Sequence, residues 1–150
     1  MPEKETVERA REDAREGKAP STQAGEFVRE EMHHIREGKH GAASPQQAIA
    51  IGLSKARRAG VKLKAPAKGK ASSEVREKAK RDLKKSSSKR KPSTRRSGGV
   101  KRALRRKGHS AASHTALSQQ ARSSARKRGT SSRRRAAQKA ARTRARRSRG

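Results

Sequence analysis

The chain has 150 residues, with 44 Lys and Arg against 13 Asp and Glu, a formal net charge of +31. Hydrophobic residues are 27%, aromatics 1%, and Cys, Trp and Tyr are absent. This excludes disulfides, thiolate nucleophiles and Cys-based zinc sites, leaves no apolar run of membrane-spanning length, and removes most surface on which bases could stack.

The opening Met1-Pro2-Glu3-Lys4-Glu5 has no apolar segment behind a basic start, so no secretory signal is expected. Pro2, Glu3 and Glu5 suit a helix N-terminus and Gly17 suits a stop. The predicted first helix, about Glu3 to Glu16, has Val7 as its only large apolar residue. It is expected to be frayed and solvent-exposed. Lys18-Ala19-Pro20 reads as a linker.

A second helix should start at Ser21 or Thr22 and end at Gly38. Ala24, Phe27, Val28, Met32 and Ile35 recur at three- and four-residue steps and form one apolar stripe. The third helix has the clearest local signals. Ser44 is the expected N-cap, Pro45 the first helical residue, and Gln47 can close a capping box. Ile49, Leu53 and Ala56 line its stripe, with Ala48 and Gly52 beside it to allow close helix approach. Gly60 suits the position after the last turn. The short link from Lys39 to Ala43 predicts an antiparallel hairpin of helices two and three. Phe27, Val28, Met32, Ile35, Ile49 and Leu53 are the candidate packing or interaction residues of this head. They make a small core, and self-association through the stripe would enlarge it.

Charge divides the chain. Residues 1–60 hold 11 Lys and Arg against 10 acids, a net +1. Residues 61–150 hold 33 against 3, a net +30, and no acid follows Asp82. Low hydrophobicity with high charge is the composition of disorder. The expected architecture is therefore a small all-α head over 1–63, a helical hairpin plus the frayed leading helix. A long, mostly disordered Lys/Arg/Ser/Ala-rich tail follows over 64–150. Transient helices are expected near 72–85, 113–126 and 132–146, forming fully only against a polyanion that cancels like-charge repulsion.

Such a tail points to phosphate. The candidate nucleic-acid-binding residues are Lys89, Arg90, Lys91, Arg95, Arg96, Lys101, Arg102, Arg105, Arg106, Lys107, Arg126, Lys127, Arg128, Arg133, Arg134, Arg135, Lys139, Arg142, Arg144, Arg146, Arg147 and Arg149. No base-reading constellation accompanies them, so binding should be sequence-independent and salt-sensitive. DNA is the expected partner, with RNA as the alternative polyanion and no membrane.

Catalytic and metal signals are weak. Glu30-x-x-His33 and Glu31-x-x-His34 fall on a predicted helix near His40, a spacing used in di-iron bundles that need more carboxylates than this chain offers. Solvated polar residues are the expectation there, with no metal and no cofactor. His109 and His114 lie in basic sequence, and Gly98-Gly99 and Gly108 match no phosphate loop. The acid-free run after Asp82 cannot assemble a Ser/His/Asp triad. No enzymatic activity is expected.

Two likenesses add to this. Pro20-Ser-Thr-Gln-Ala-Gly-Glu-Phe-Val-Arg-Glu-Glu31, Arg36-Glu-Gly-Lys-His-Gly41 and Ser44-Pro-Gln-Gln-Ala-Ile-Ala-Ile-Gly-Leu-Ser-Lys-Ala-Arg-Arg-Ala-Gly60 resemble a family of small, highly basic bacterial proteins of unknown function, often labelled DNA-binding. That resemblance covers about residues 1–63 and implies a bacterial, cytoplasmic setting. The Lys/Ala/Pro-then-Arg/Ser tail resembles the tails of linker histones and bacterial histone-like proteins, without a linker histone's winged-helix core. Together they imply a nucleoid-associated, DNA-compacting protein. The competing expectations are an RNA- or ribosome-associated protein, or a protein-interaction head localised by its tail.

Overall fold

The computed structural model describes residues 2–86 and 93–148. Among them the chain forms seven α-helices: α1 (Lys4–Arg15), α2 (Pro20–Arg36), α3 (Pro45–Arg58), α4 (Ser73–Ser86), α5 (Thr94–Arg105), α6 (His114–Lys127) and α7 (Gly129–Arg147). A single 3-10 turn, Ser110–Ala112, precedes α6. The chain divides into two compact units, Met1–Ser113 and His114–Gly150.

The all-α expectation holds, and the expectation of a long disordered tail is corrected. Four of the seven helices lie beyond residue 64. Ala, Arg, Lys and Gln are strong helix formers residue by residue. That local preference outweighs the average composition on which disorder was expected.

The first unit is built on the α2–α3 hairpin. Ser44 caps α3 as its sequence signals: its Oγ accepts from the Gln47 N–H at 3.2 Å, and Gln47 Oε1 accepts from the Ala43 N–H at 2.7 Å. The α2 start differs from expectation. Pro20 is already helical, Ala19 precedes it, and no side chain caps the end. Gly38 follows α2 with φ +74°, a conformation that costs glycine little and other residues much. The two helices approach closely at Gly52. A Cβ there would lie 2.7 Å from Val28 Cα and 3.0 Å from the Phe27 carbonyl oxygen.

The core joins Ala10, Ala24, Phe27, Ala56 and Val61, with Val7, Leu53 and Leu63 against them. Phe27 and Ile35 are fully buried and Met32 nearly so, while Val28, Ile49 and Leu53 stay partly exposed. The hairpin stripe is thus largely used inside the chain. Nor is α1 frayed: Thr6 and Ala10 are buried, and Arg9 Nε donates to Glu26 Oε2 at 2.9 Å. A charged helix is held here by small residues and ion pairs, which a count of large apolar residues overlooks. α4 is fastened to α3 by buried Ala79 and by Asp82. The Asp82 carboxylate accepts from Ser54 Oγ at 2.7 Å and pairs with Arg58 at 3.2 Å.

The end of α5 and the 3-10 turn close over the hairpin loop. The Gly41 N–H donates to the Leu104 carbonyl at 3.0 Å and the Ala42 N–H to the Gly108 carbonyl at 3.1 Å. Arg36 Nε donates to the Ala112 carbonyl at 2.9 Å. Ala111 and Ala112 are buried. Gly41 is required there, because a Cβ would fall 2.0 Å from the Lys107 carbonyl oxygen. The second unit has another character. α6 buries no residue. Along α7, every described side chain is exposed except Ser132, which is half-buried.

Candidate functional site

The cations expected to meet phosphate fall on α5, α6, α7 and the turns beside them. Arg95, Arg96, Lys101, Arg102 and Arg105 are on α5, with Arg106 and Lys107 just after it. Arg126 and Lys127 end α6, Arg128 follows, and Arg133 through Arg147 belong to α7. All of these whose side chains are described are exposed. Lys89, Arg90, Lys91 and Arg149 lie outside the described residues, as does the Arg147 side chain.

α7 orders its charge. Arg135, Lys139, Arg142 and Arg146 follow one another at steps of four, three and four, so they share a face and form a basic stripe. Nineteen residues make a helix about 28 Å long. One strand of duplex DNA passes about eight phosphates over that length. α7 carries eight Lys and Arg. Eleven of the 13 cations after residue 113 are Arg, the side chain that grips phosphate oxygens through two parallel N–H donors. Neither α6 nor α7 contains an acid to compete for them.

A second cluster gathers where α2 meets α3. Glu30 and Glu31 were expected to be solvated, yet both are buried. Lys55 reaches between them from α3, its Nζ 2.6 Å from Glu31 Oε2 and 3.4 Å from Glu30 Oε1. His40, in the hairpin loop, places Nε2 3.1 Å from Glu31 Oε1. His34 places Nδ1 3.9 Å from Glu30 Oε1 and Nε2 2.8 Å from Glu3 Oε1. The His34 contact, foremost, holds the Glu3 carboxyl below its ordinary value. The structure therefore assembles Glu31, His34 and His40 but not His33, which is exposed and faces Glu37 at 3.9 Å. The Glu-x-x-His spacing signalled two of these residues. The third depends on the path of the loop, which has no sequence signature.

Alongside lies an open cleft of about 180 Å³, lined by Glu3, Thr6 and Arg9 of the N-terminal segment and by Glu30 and His34 of α2. Its walls mix both signs of charge. No helix among the described residues is long and apolar enough to cross a membrane. Comparison with family models, curated proteins and solved structures finds no match to this chain.

Proposed function

We propose that the protein binds duplex DNA without sequence preference and compacts it, as a nucleoid-associated protein of the bacterial cytoplasm. It acts as a binding protein and not as an enzyme. The observation that carries this reading is the exposed, acid-free, Arg-rich surface of α6 and α7, ordered into a stripe along α7. Phosphate contacts supply affinity and position, and they release counterions on binding. The one Phe, Tyr or Trp of the chain, Phe27, is buried, so the aromatic platforms on which unstacked bases are most often held are lacking. That favours a duplex over a single strand. α5 in the first unit and α6–α7 in the second give one chain two cationic elements, so a single molecule can hold two duplex segments.

The test is a competition shift assay with full-length protein, duplex DNA and structured RNA across a salt series. Tighter retention of DNA, with a steep loss of affinity on adding salt, is the expected result. A clear preference for RNA would reassign the protein to transcripts or ribosomes.

A further inference from the structure

The cluster on α2 has an unbalanced charge. Glu30 and Glu31 bring two carboxylates out of solvent, and Lys55 supplies one ammonium. Burying an anion without a matched cation is costly. Lys55 lies against Oε2 of Glu31, leaving Oε1 to face His40. Both Glu31 oxygens are shut off from water, and neither accepts a hydrogen bond of good geometry from the described residues. A buried, under-partnered carboxylate beside two imidazoles needs an account.

We propose that Glu31, His34 and His40 bind a divalent transition metal of the imidazole-preferring kind, with zinc as its representative. Their ligand atoms all lie within 4.8 Å of one another. Ligands bonded to zinc at 2.0–2.1 Å in tetrahedral geometry sit about 3.3 Å apart. The 3.1 Å approach of His40 to Glu31 already has that spacing. His34 has at most about 1.5 Å to close, a side-chain rotation on the same helix face, three residues along from Glu31.

The outer contacts also suit a metal. A metal-bound imidazole donates its other N–H to a carboxylate or a backbone carbonyl. His34 Nε2 meets the Glu3 carboxylate at 2.8 Å, which leaves Nδ1 on the side of the buried acids. His40 Nδ1 meets the Gly41 carbonyl at 3.3 Å, which leaves Nε2 toward Glu31. Each ring thus has one nitrogen held and the other aimed inward. Two imidazoles and one carboxylate select zinc-like ions over magnesium or calcium, which prefer all-oxygen shells. With three protein ligands the fourth position stays open. The ion would tie the hairpin loop to α2 at the point where residues 104–108 hydrogen-bond to it. This inference stands apart from the nucleic-acid reading.

The experiment uses untagged full-length protein stripped with a chelator. Zinc chloride is titrated by calorimetry, and cobalt chloride is followed by its visible d–d absorption. One equivalent at micromolar affinity or tighter is expected, with the intense cobalt band of four- or five-coordination. His34→Ala, His40→Ala and Glu31→Gln should each weaken binding at least tenfold, whereas His33→Ala and His114→Ala should not. Should a variant lose its helical circular dichroism, nitrogen-15 shifts of the histidine rings in the unaltered protein decide the matter. Zinc should move His34 Nδ1 and His40 Nε2 and spare His33, His109 and His114. Absence of uptake, binding unchanged by His40→Ala in a folded variant, or zinc shifts centred on other histidines would overturn the proposal. The two rings would then be polar neighbours of the buried acids and nothing more.

Discussion

The unit Met1–Ser113 contains all 13 acids of the chain together with 31 of its 44 cations, and His114–Gly150 contains 13 cations and no acid. In the first unit a helix is held by what it touches. α1 rests on Thr6, Ala10 and the Arg9–Glu26 pair, α4 on Ala79 and Asp82, and the loop at Gly41 on residues 104–108. In the second, α6 buries no residue and α7 leaves nearly all its side chains in water. Those helices rest on the propensity of Ala, Arg, Lys and Gln, against the repulsion of neighbouring like charges. The two units dispose of their charge differently. Carboxylates in the first unit pair with some of its cations, among them Arg9, Lys18, Lys55 and Arg58. Among the described residues of the second unit, no Lys or Arg has a side-chain carboxylate within its own unit to pair with.

The largest expected effect breaks the first unit alone. Lys55→Met leaves Glu30 and Glu31 without their shared ammonium. Losing one partner of a buried ion pair costs about 3 kcal/mol or more. Urea denaturation should show the first unit unfolding at lower denaturant, while ellipticity from the second is unchanged. A uniform loss across both would contradict the division.

A smaller effect tests close packing. Gly52→Ala drives a Cβ into the Val28 backbone and should cost about 1–3 kcal/mol. Thermal melting resolved by residue would locate the damage. Loss at Phe27 and Val28 is expected, and no change at Arg135 or Arg142.

The smallest effect is the response to acid. Glu3 is held below its ordinary value of 4.5, chiefly by the His34 contact. Glu37, Glu74 and Glu77 are likewise lowered, foremost by hydrogen bonds from Lys39, Lys78 and Lys80. A depressed carboxyl contributes stability that is complete above its unfolded value and is lost as pH falls through its folded one. The first unit should weaken slightly below pH 4.5, by an amount kept small by solvent screening. α6 and α7 have no side-chain carboxylate to protonate. Nuclear magnetic resonance across an acid titration should show the signals of α7 steady while those around Glu3, Glu37, Glu74 and Glu77 shift.

Much of the hairpin was legible in the sequence. Ser44, Pro45 and Gln47 marked the start of α3, Gly38 and Gly60 marked helix ends, and Gly52 marked close approach. Phe27 and Ile35 were readable as core from their spacing. The anchoring of α1 was not, because Thr6 and Ala10 are too small to register as a stripe. Burial of Ala111 and Ala112 was hidden for the same reason. The places of α4, α6 and α7 were legible, near 72–85, 113–126 and 132–146, but α5 was not, and judging composition over the whole tail made all of them look transient, when helix preference acts turn by turn. The acid-free run that points to phosphate needed no structure to see. The stripe along α7 needed the helix, since Arg135, Lys139, Arg142 and Arg146 align only at 3.6 residues per turn.

In the proposed function the stripe cations of α7 supply the larger share of the hold on DNA, and those of α5 the lesser. The most direct measurement is the salt dependence of duplex DNA binding by the full-length protein and by a variant carrying Arg135→Gln, Lys139→Gln, Arg142→Gln and Arg146→Gln. Each lost phosphate contact lowers the slope of log affinity against log salt by about 0.9. The account predicts a slope shallower by about 3–4 and a large loss of affinity at low salt. An unchanged slope and affinity, in a variant that keeps its helical signal, would contradict it and place the interface on the first unit.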